Sequence, residues 1–134
     1  VTGGLGGVMA AASRGATEGG GLAVGLVPGT DRAAANPWVA VALPTGLGEA
    51  RNALVVGAAD VVVAVGGSWG TLAEVALAVR RGTPVVMLSS PGLGAWEVHG
   101  EDGPVPGPVR VGSPEAALSA VAALLARAAG AVPG

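Results

Sequence analysis

Cysteine is absent from the 134 residues, which excludes disulfides, thiolate catalysis and cysteine-ligated metal sites. The single histidine, His99, would need several carboxylate partners to hold zinc. Lysine is absent as well, so arginine supplies all seven positive charges, a bias we read as codon usage of a GC-rich genome rather than as function. Phe and Tyr are missing, and any aromatic surface rests on three Trp. With 12% charged residues, a net charge of −2 and no basic stripe interleaved with aromatics, the chain does not look like a nucleic-acid partner. No apolar run reaches the roughly 18 residues that a membrane helix needs. The first residues lack the basic, apolar and cleavage regions of a signal peptide. The expectation is a soluble, cytoplasmic protein with no membrane partner.

What is present is a 51% hydrophobic chain built almost wholly from Val, Ala and Leu, of a length that suits one domain, residues 1–134. It opens on "VTGG", as though at the end of a strand and already turning. A glycine turn then leads to a helix over about 6–19. Short apolar runs at 22–28, 38–43, 60–65 and 83–88 predict strands, and 109–111 a short edge strand. Helices are expected over about 47–58 and 71–81, and over 113–129, with Ser113 as N-cap, Pro114 in the first turn and Gly130 as stop. The Gly/Pro-rich stretch 91–108 reads as a long loop. All-apolar strands alternating with helices predict an α/β fold, a Rossmann-like doubly wound parallel sheet covered on both faces. Ligands bind such sheets beyond the carboxyl ends of the strands. Two glycine turns, 3–7 and 66–70, fall at that edge.

The second turn, "GGSWGTLAE" (66–74), carries the densest chemistry. A strand entering a glycine loop and then a helix presents backbone N–H groups and the positive end of the helix dipole to an anion. Gly66, Gly67 and Gly70 allow close approach, and Ser68 and Thr71 add hydroxyls. The plainer role for the glycines is a tight strand-to-helix connection. Neither turn matches the lysine-bearing phosphate loop or "GxGxxG". Glu74 has two readings. "TLAE" fits a capping box with Thr71 as N-cap, which the spacing alone favours; alternatively Glu74 is an acid/base or charge-stabilising group facing the crevice. Arg51 is either a solvated helix residue, paired with Glu49 or Asp60, or an anion clamp. Asp60 reads as a helix terminator, and His99 as an exposed loop residue. Trp69 either walls a ring-binding pocket or covers the turn.

Taken together, "TGGLGGVM" (2–9), "ARN" (50–52) and "ADVVVAVGGSWGTLAE" (59–74) resemble the Lonely Guy family, long labelled "possible lysine decarboxylase". Its characterised members are cytokinin-activating phosphoribohydrolases. The family pattern runs "GGGxxGLM", an Arg-Lys pair, then "PGGxGTxxE", and the resemblance covers residues 1 to about 90. It implies that Gly3, Gly4 and Gly7 form the first glycine loop and that Gly67, Gly70 and Thr71 hold phosphate. It further implies that Arg51 and Glu74 are catalytic. The ligand would be a nucleoside 5′-monophosphate, cleaved at its N-glycosidic bond to base and ribose 5-phosphate with no metal or redox cofactor. The chain departs from the pattern at Gly66 (Pro in the family), Ser68 (Gly) and Asn52 (Lys). The "AVGG" form is similar to a sister branch, the molybdenum-cofactor carrier proteins, which hold a phosphorylated pterin without turning it over. The resemblance also implies a homodimer. In the family a strand and a helix precede the first glycine loop, so residues 1–134 are expected to be an N-terminally incomplete product, as from a misplaced start site.

Overall fold

The computed structural model describes residues 1–88, 99–100, 103–104 and 107–130. They fall into two compact units, Val1–Ala58 and Ala59–Gly134. Both are mixed α/β with parallel strand pairing, as the alternation of apolar runs and helices requires.

In the first unit, α1 (Val8–Glu18) is followed by β1 (Val24–Val27), β2 (Val41–Pro44), a 3-10 turn (Gly48–Arg51) and α2 (Asn52–Gly57). β1 and β2 pair in parallel from Val24↔Val41 to Val27↔Pro44. Thr2 makes a one-residue parallel bridge to Gly25: its amide donates to the Val24 carbonyl at 2.9 Å, and its carbonyl accepts from the Leu26 amide at 2.9 Å. The β2 side uses the alternate carbonyls of Ala23 and Val27, so Thr2 lies on the opposite edge of β1. Gly25, Leu26 and Val27 are the buried residues of β1, and Ala23 just before it is buried too. A Cβ on Gly25 would stand 2.9 Å from the Gly4 Cα, so two backbones meet there with no room for a side chain.

Two expected elements shift. The strand expected from residue 38 begins at Val41, because the Asn36 carboxamide oxygen accepts from the Trp38 amide and the Asn36 carbonyl from the Val39 amide, each at 3.1 Å. That turn consumes the groups a ladder would need. The helix expected over 47–58 divides: Gly48 has φ 55 and Leu47 supplies no side-chain cap, so the segment opens as a 3-10 turn and becomes α-helical at Asn52.

In the second unit, β3 (Val62–Val65), β4 (Val85–Leu88) and β7 (Val109–Val111) form a parallel sheet in the order β3-β4-β7, with α3 (Trp69–Arg80) and α4 (Pro114–Gly130) packed on it. Val85, Val86 and Met87 are consecutive and all buried. Successive strand residues point to opposite faces, so β4 is covered on both. α3 buries Val75, Ala78 and Val79, the i, i+3, i+4 stripe of an amphipathic helix. Within the stretch expected as one long loop, β5 (His99–Gly100) and β6 (Gly103–Pro104) pair antiparallel, so His99 lies in a short ladder. Residues 91–98, 101–102 and 105–106 of that stretch lie outside the described residues. α4 starts as expected, with the Ser113 hydroxyl accepting from the Ala116 amide at 3.2 Å, and it runs through Gly130.

Candidate functional site

The first glycine turn, in the first unit, is braced from several sides. Gly4, at φ 76, takes a conformation that only glycine adopts readily, and its amide donates to the Thr2 hydroxyl at 3.1 Å. Asn36 reaches back across the sequence. Its amide nitrogen Nδ2 donates to the carbonyls of Gly4 (3.2 Å) and Leu5 (3.0 Å), and its backbone N–H donates to Gly4 O at 2.8 Å. With these carbonyls turned to Asn36, the turn is held open for α1. Gly7 is the N-cap of α1 at φ 65, has no side chain to cap with, and no acidic residue sits in the first helical turn. Gly6 and Gly7 face open space where a Cβ would stand.

Arg51, also in the first unit, is brought against this turn. A Cβ on Gly3 would lie 2.6 Å from Arg51 Nη2, 2.8 Å from its Cζ and 2.7 Å from the Met9 sulfur, so the guanidinium rests on the bare face of Gly3. Arg51 Nη1 donates to the Asn52 carboxamide oxygen. Arg51 is half-buried and is not a solvated helix residue.

In the second unit, β3 delivers the chain into Gly66, which turns at φ 82. Ser68 is the N-cap of α3: its hydroxyl accepts from the Thr71 amide at 3.2 Å and lies 3.0 Å from the Thr71 hydroxyl. The helix therefore starts at Trp69, before the expected Thr71, and the capping box read into "TLAE" does not form. Its place is taken by "SWGT", in which the residue three after the cap is Thr71. Glu74 is the sixth residue of α3, half-buried and past the first turn, so capping does not explain it. The first helical amides are those of Trp69, Gly70 and Thr71, ahead of the bond from the Leu72 amide to the Ser68 carbonyl. No acidic residue stands in this first turn either, which leaves the positive end of the dipole uncompensated from within the helix. Trp69 projects outward at 87% exposure, so it is not a cover pressed onto the turn. Gly67 and Gly70 are exposed beside it, and Thr71 is half-exposed. Asp60 is exposed two residues before β3.

Among the described residues no three His, Asp or Glu side chains come together in a way that could hold a metal ion. Also among these residues, no helix is long and apolar enough to cross a membrane. One side chain that braces the first turn had no local signal in the sequence. Asn36 acts on a turn about thirty residues away, and "NP" reads only as a loop dipeptide. Asn52 is marked in the sequence only as a departure from the family's Arg-Lys pair, and its contact with Arg51 is seen in the structure alone.

A two-turn α/β architecture of this kind, with a glycine loop entering α1 and a second entering α3, defines a class that sequence comparison makes specific. The chain belongs to the SLOG cluster4 family, whose profile matches residues 1–105. It is thus a member of the Lonely Guy-like superfamily, as its motifs suggest. It is 38% identical over 91 residues to an uncharacterized protein of Archaeoglobus fulgidus; the match takes in 68% of this chain and 60% of that protein, so the chain spans less than two thirds of its relative's length. Among solved structures it is similar to the molybdenum cofactor binding protein from the phototrophic bacterium Rippkaea orientalis. That similarity has a TM-score of 0.76 at 36% identity, covering 89% of this chain and 72% of the other. It is also similar to TM1055, a structural-genomics target, with a TM-score of 0.73 at 32% identity, covering 90% and 75%.

Proposed function

We propose that this protein binds a phosphorylated pterin of the molybdenum-cofactor type and carries it without turning it over. The turn Gly66–Thr71 receives the phosphate, with Gly66, Gly67 and Gly70 giving access, the Trp69 and Gly70 amides and the Ser68 and Thr71 hydroxyls donating, and the Trp69 ring lying along the pterin. Gly3, Gly4 and Gly7 shape the first turn, and Arg51 offers its guanidinium to an anionic group. The observation that carries this reading is the 36% identity, over 89% of the chain, to a protein described as binding molybdenum cofactor. The exposed Trp69 beside an anion-receptive helix start adds to it. The metal travels as cargo, so the protein needs no metal ligands of its own.

A second reading is favoured by one observation: Glu74 lies beyond the cap it was expected to form. A nucleoside 5′-monophosphate would then be cleaved to base and ribose 5-phosphate. Glu74 would stabilise the oxocarbenium-like transition state or orient the attacking water. A homodimer in the cytoplasm belongs to both readings. It is supported by Leu118 and Leu125, two turns apart on α4 and 71% and 42% exposed.

Calorimetric titration with isolated molybdenum cofactor, and separately with AMP, tests the proposal. Cofactor binding that is lost in Gly67→Trp is the expected result. Release of adenine from AMP, abolished by Glu74→Ala, would move the assignment to the second reading. No binding of either ligand by folded protein would overturn both.

A further inference from the structure

We infer that Asn52 and Gly3 are positioning residues that hold the Arg51 guanidinium in one orientation for an anionic ligand. The ligand side of this inference rests on the reading just given; the holding itself does not. Arg51 ends the 3-10 turn and Asn52 begins α2, so the two side chains leave adjacent positions at the junction of two helical segments. Asn52 is only 8% exposed, an unusual place for a carboxamide unless its oxygen has a donor. Arg51 Nη1 is that donor. The guanidinium plane meets Gly3 at distances that leave no room for a methyl group, with the Met9 sulfur packed beside it. Contact on one side and a hydrogen bond on another fix both the position and the rotation of the planar fork. A fork fixed before binding loses less entropy when it takes up a carboxylate or phosphate. The identity of residue 52 matters for this role. A lysine there has no acceptor and would set a second positive charge against Arg51, whereas asparagine accepts and stays neutral. The substitution thus exchanges a second cation for an orienting group.

The test has two readouts. In the ligand-free protein, nitrogen NMR of the Arg51 side chain should resolve Nη1 and Nη2 separately, because a held guanidinium rotates slowly. Both Asn52→Leu and Gly3→Ala should merge them. Merged signals in the wild-type protein would overturn the inference, whether or not any ligand binds. The second readout is a double-mutant cycle with isolated molybdenum cofactor as probe, and AMP in parallel. Asn52→Leu should weaken binding about fivefold or more in the wild-type background and leave Arg51→Ala unchanged, the mark of a residue that acts through another. Equal losses in both backgrounds would mean a merely structural role and overturn the inference while the proposed function stands. Loss of binding to both probes in the wild type, with resolved Nη signals, would overturn the proposed function and leave the holding of Arg51 established.

Discussion

At the scale of single residues, the two glycine turns differ in what holds them. The first depends on contacts that a side chain would destroy. A Cβ on Gly4 would lie 2.9 Å from Val27 Cγ1, and the backbone there has φ 76. Gly4→Ala should therefore lower stability by about 1–3 kcal/mol, measured by urea unfolding, since strain and crowding act together. Gly7→Ala, with positive φ but open space, should cost less, and equal losses would mean that crowding against Val27 is unimportant. Asn36→Ala removes two donors from the Gly4 and Leu5 carbonyls and should cost about 1–3 kcal/mol in the same assay. None of this was legible locally. The motif marks Gly3, Gly4 and Gly7 as a loop, but the residue that clamps the loop comes from a segment whose composition says only "turn".

At the scale of elements, most of the fold was legible and most starts were not. Strands β1, β3 and β4 coincide with apolar Val-rich runs bounded by Gly, Pro or Asp, and burial on both faces explains why β4 lacks alternation, whereas the short β7 carries the exposed Arg110 between two valines. Helix starts depend on which of several hydroxyls wins the cap, and "GGSWGT" offers two. Ser68 wins, and α3 starts at Trp69, earlier than the "TLAE" spacing indicates. Ser68→Ala should thus destabilise the protein by about 1 kcal/mol, whereas Glu74→Ala should not show a capping loss. The reverse order in thermal melts would restore the Thr71 cap. At α4 the cap was read correctly, and it carries a titratable partner. Backbone amide and Ser113 hydrogen bonds hold the exposed Glu115 carboxyl below the ordinary carboxylate range. A depressed folded-state value stabilises the protein above the unfolded pKa, and that contribution fades as the pH falls through the folded one. Glu115→Gln should accordingly narrow the gap to wild type as the melts are taken toward acid, and a gap independent of pH would remove Glu115 from the cap.

At the scale of the whole molecule, few surface charges and exposed leucines pose the question of self-association. Leu118 and Leu125 stand seven residues apart on α4, so they lie on nearly one line along the helix, and the exposed Ala122 between them is small enough to admit a close neighbour. Leaving such a stripe in water forgoes apolar burial, of the order of 1–3 kcal/mol for each leucine fully covered. Two copies of α4 laid face to face would recover part of it symmetrically, since the same stripe serves both partners of a two-fold pair. The expected result in sedimentation velocity is a dimer for wild type and a monomer for the Leu118→Glu, Leu125→Glu double variant, because facing carboxylates repel and cannot be buried unpaired. Cofactor titration separates assembly from binding. If the turn at Ser68 that is proposed to receive phosphate works within one chain, the monomeric variant should bind with unchanged affinity. A wild-type protein that stays monomeric at every concentration would remove the dimer while leaving the ligand reading intact.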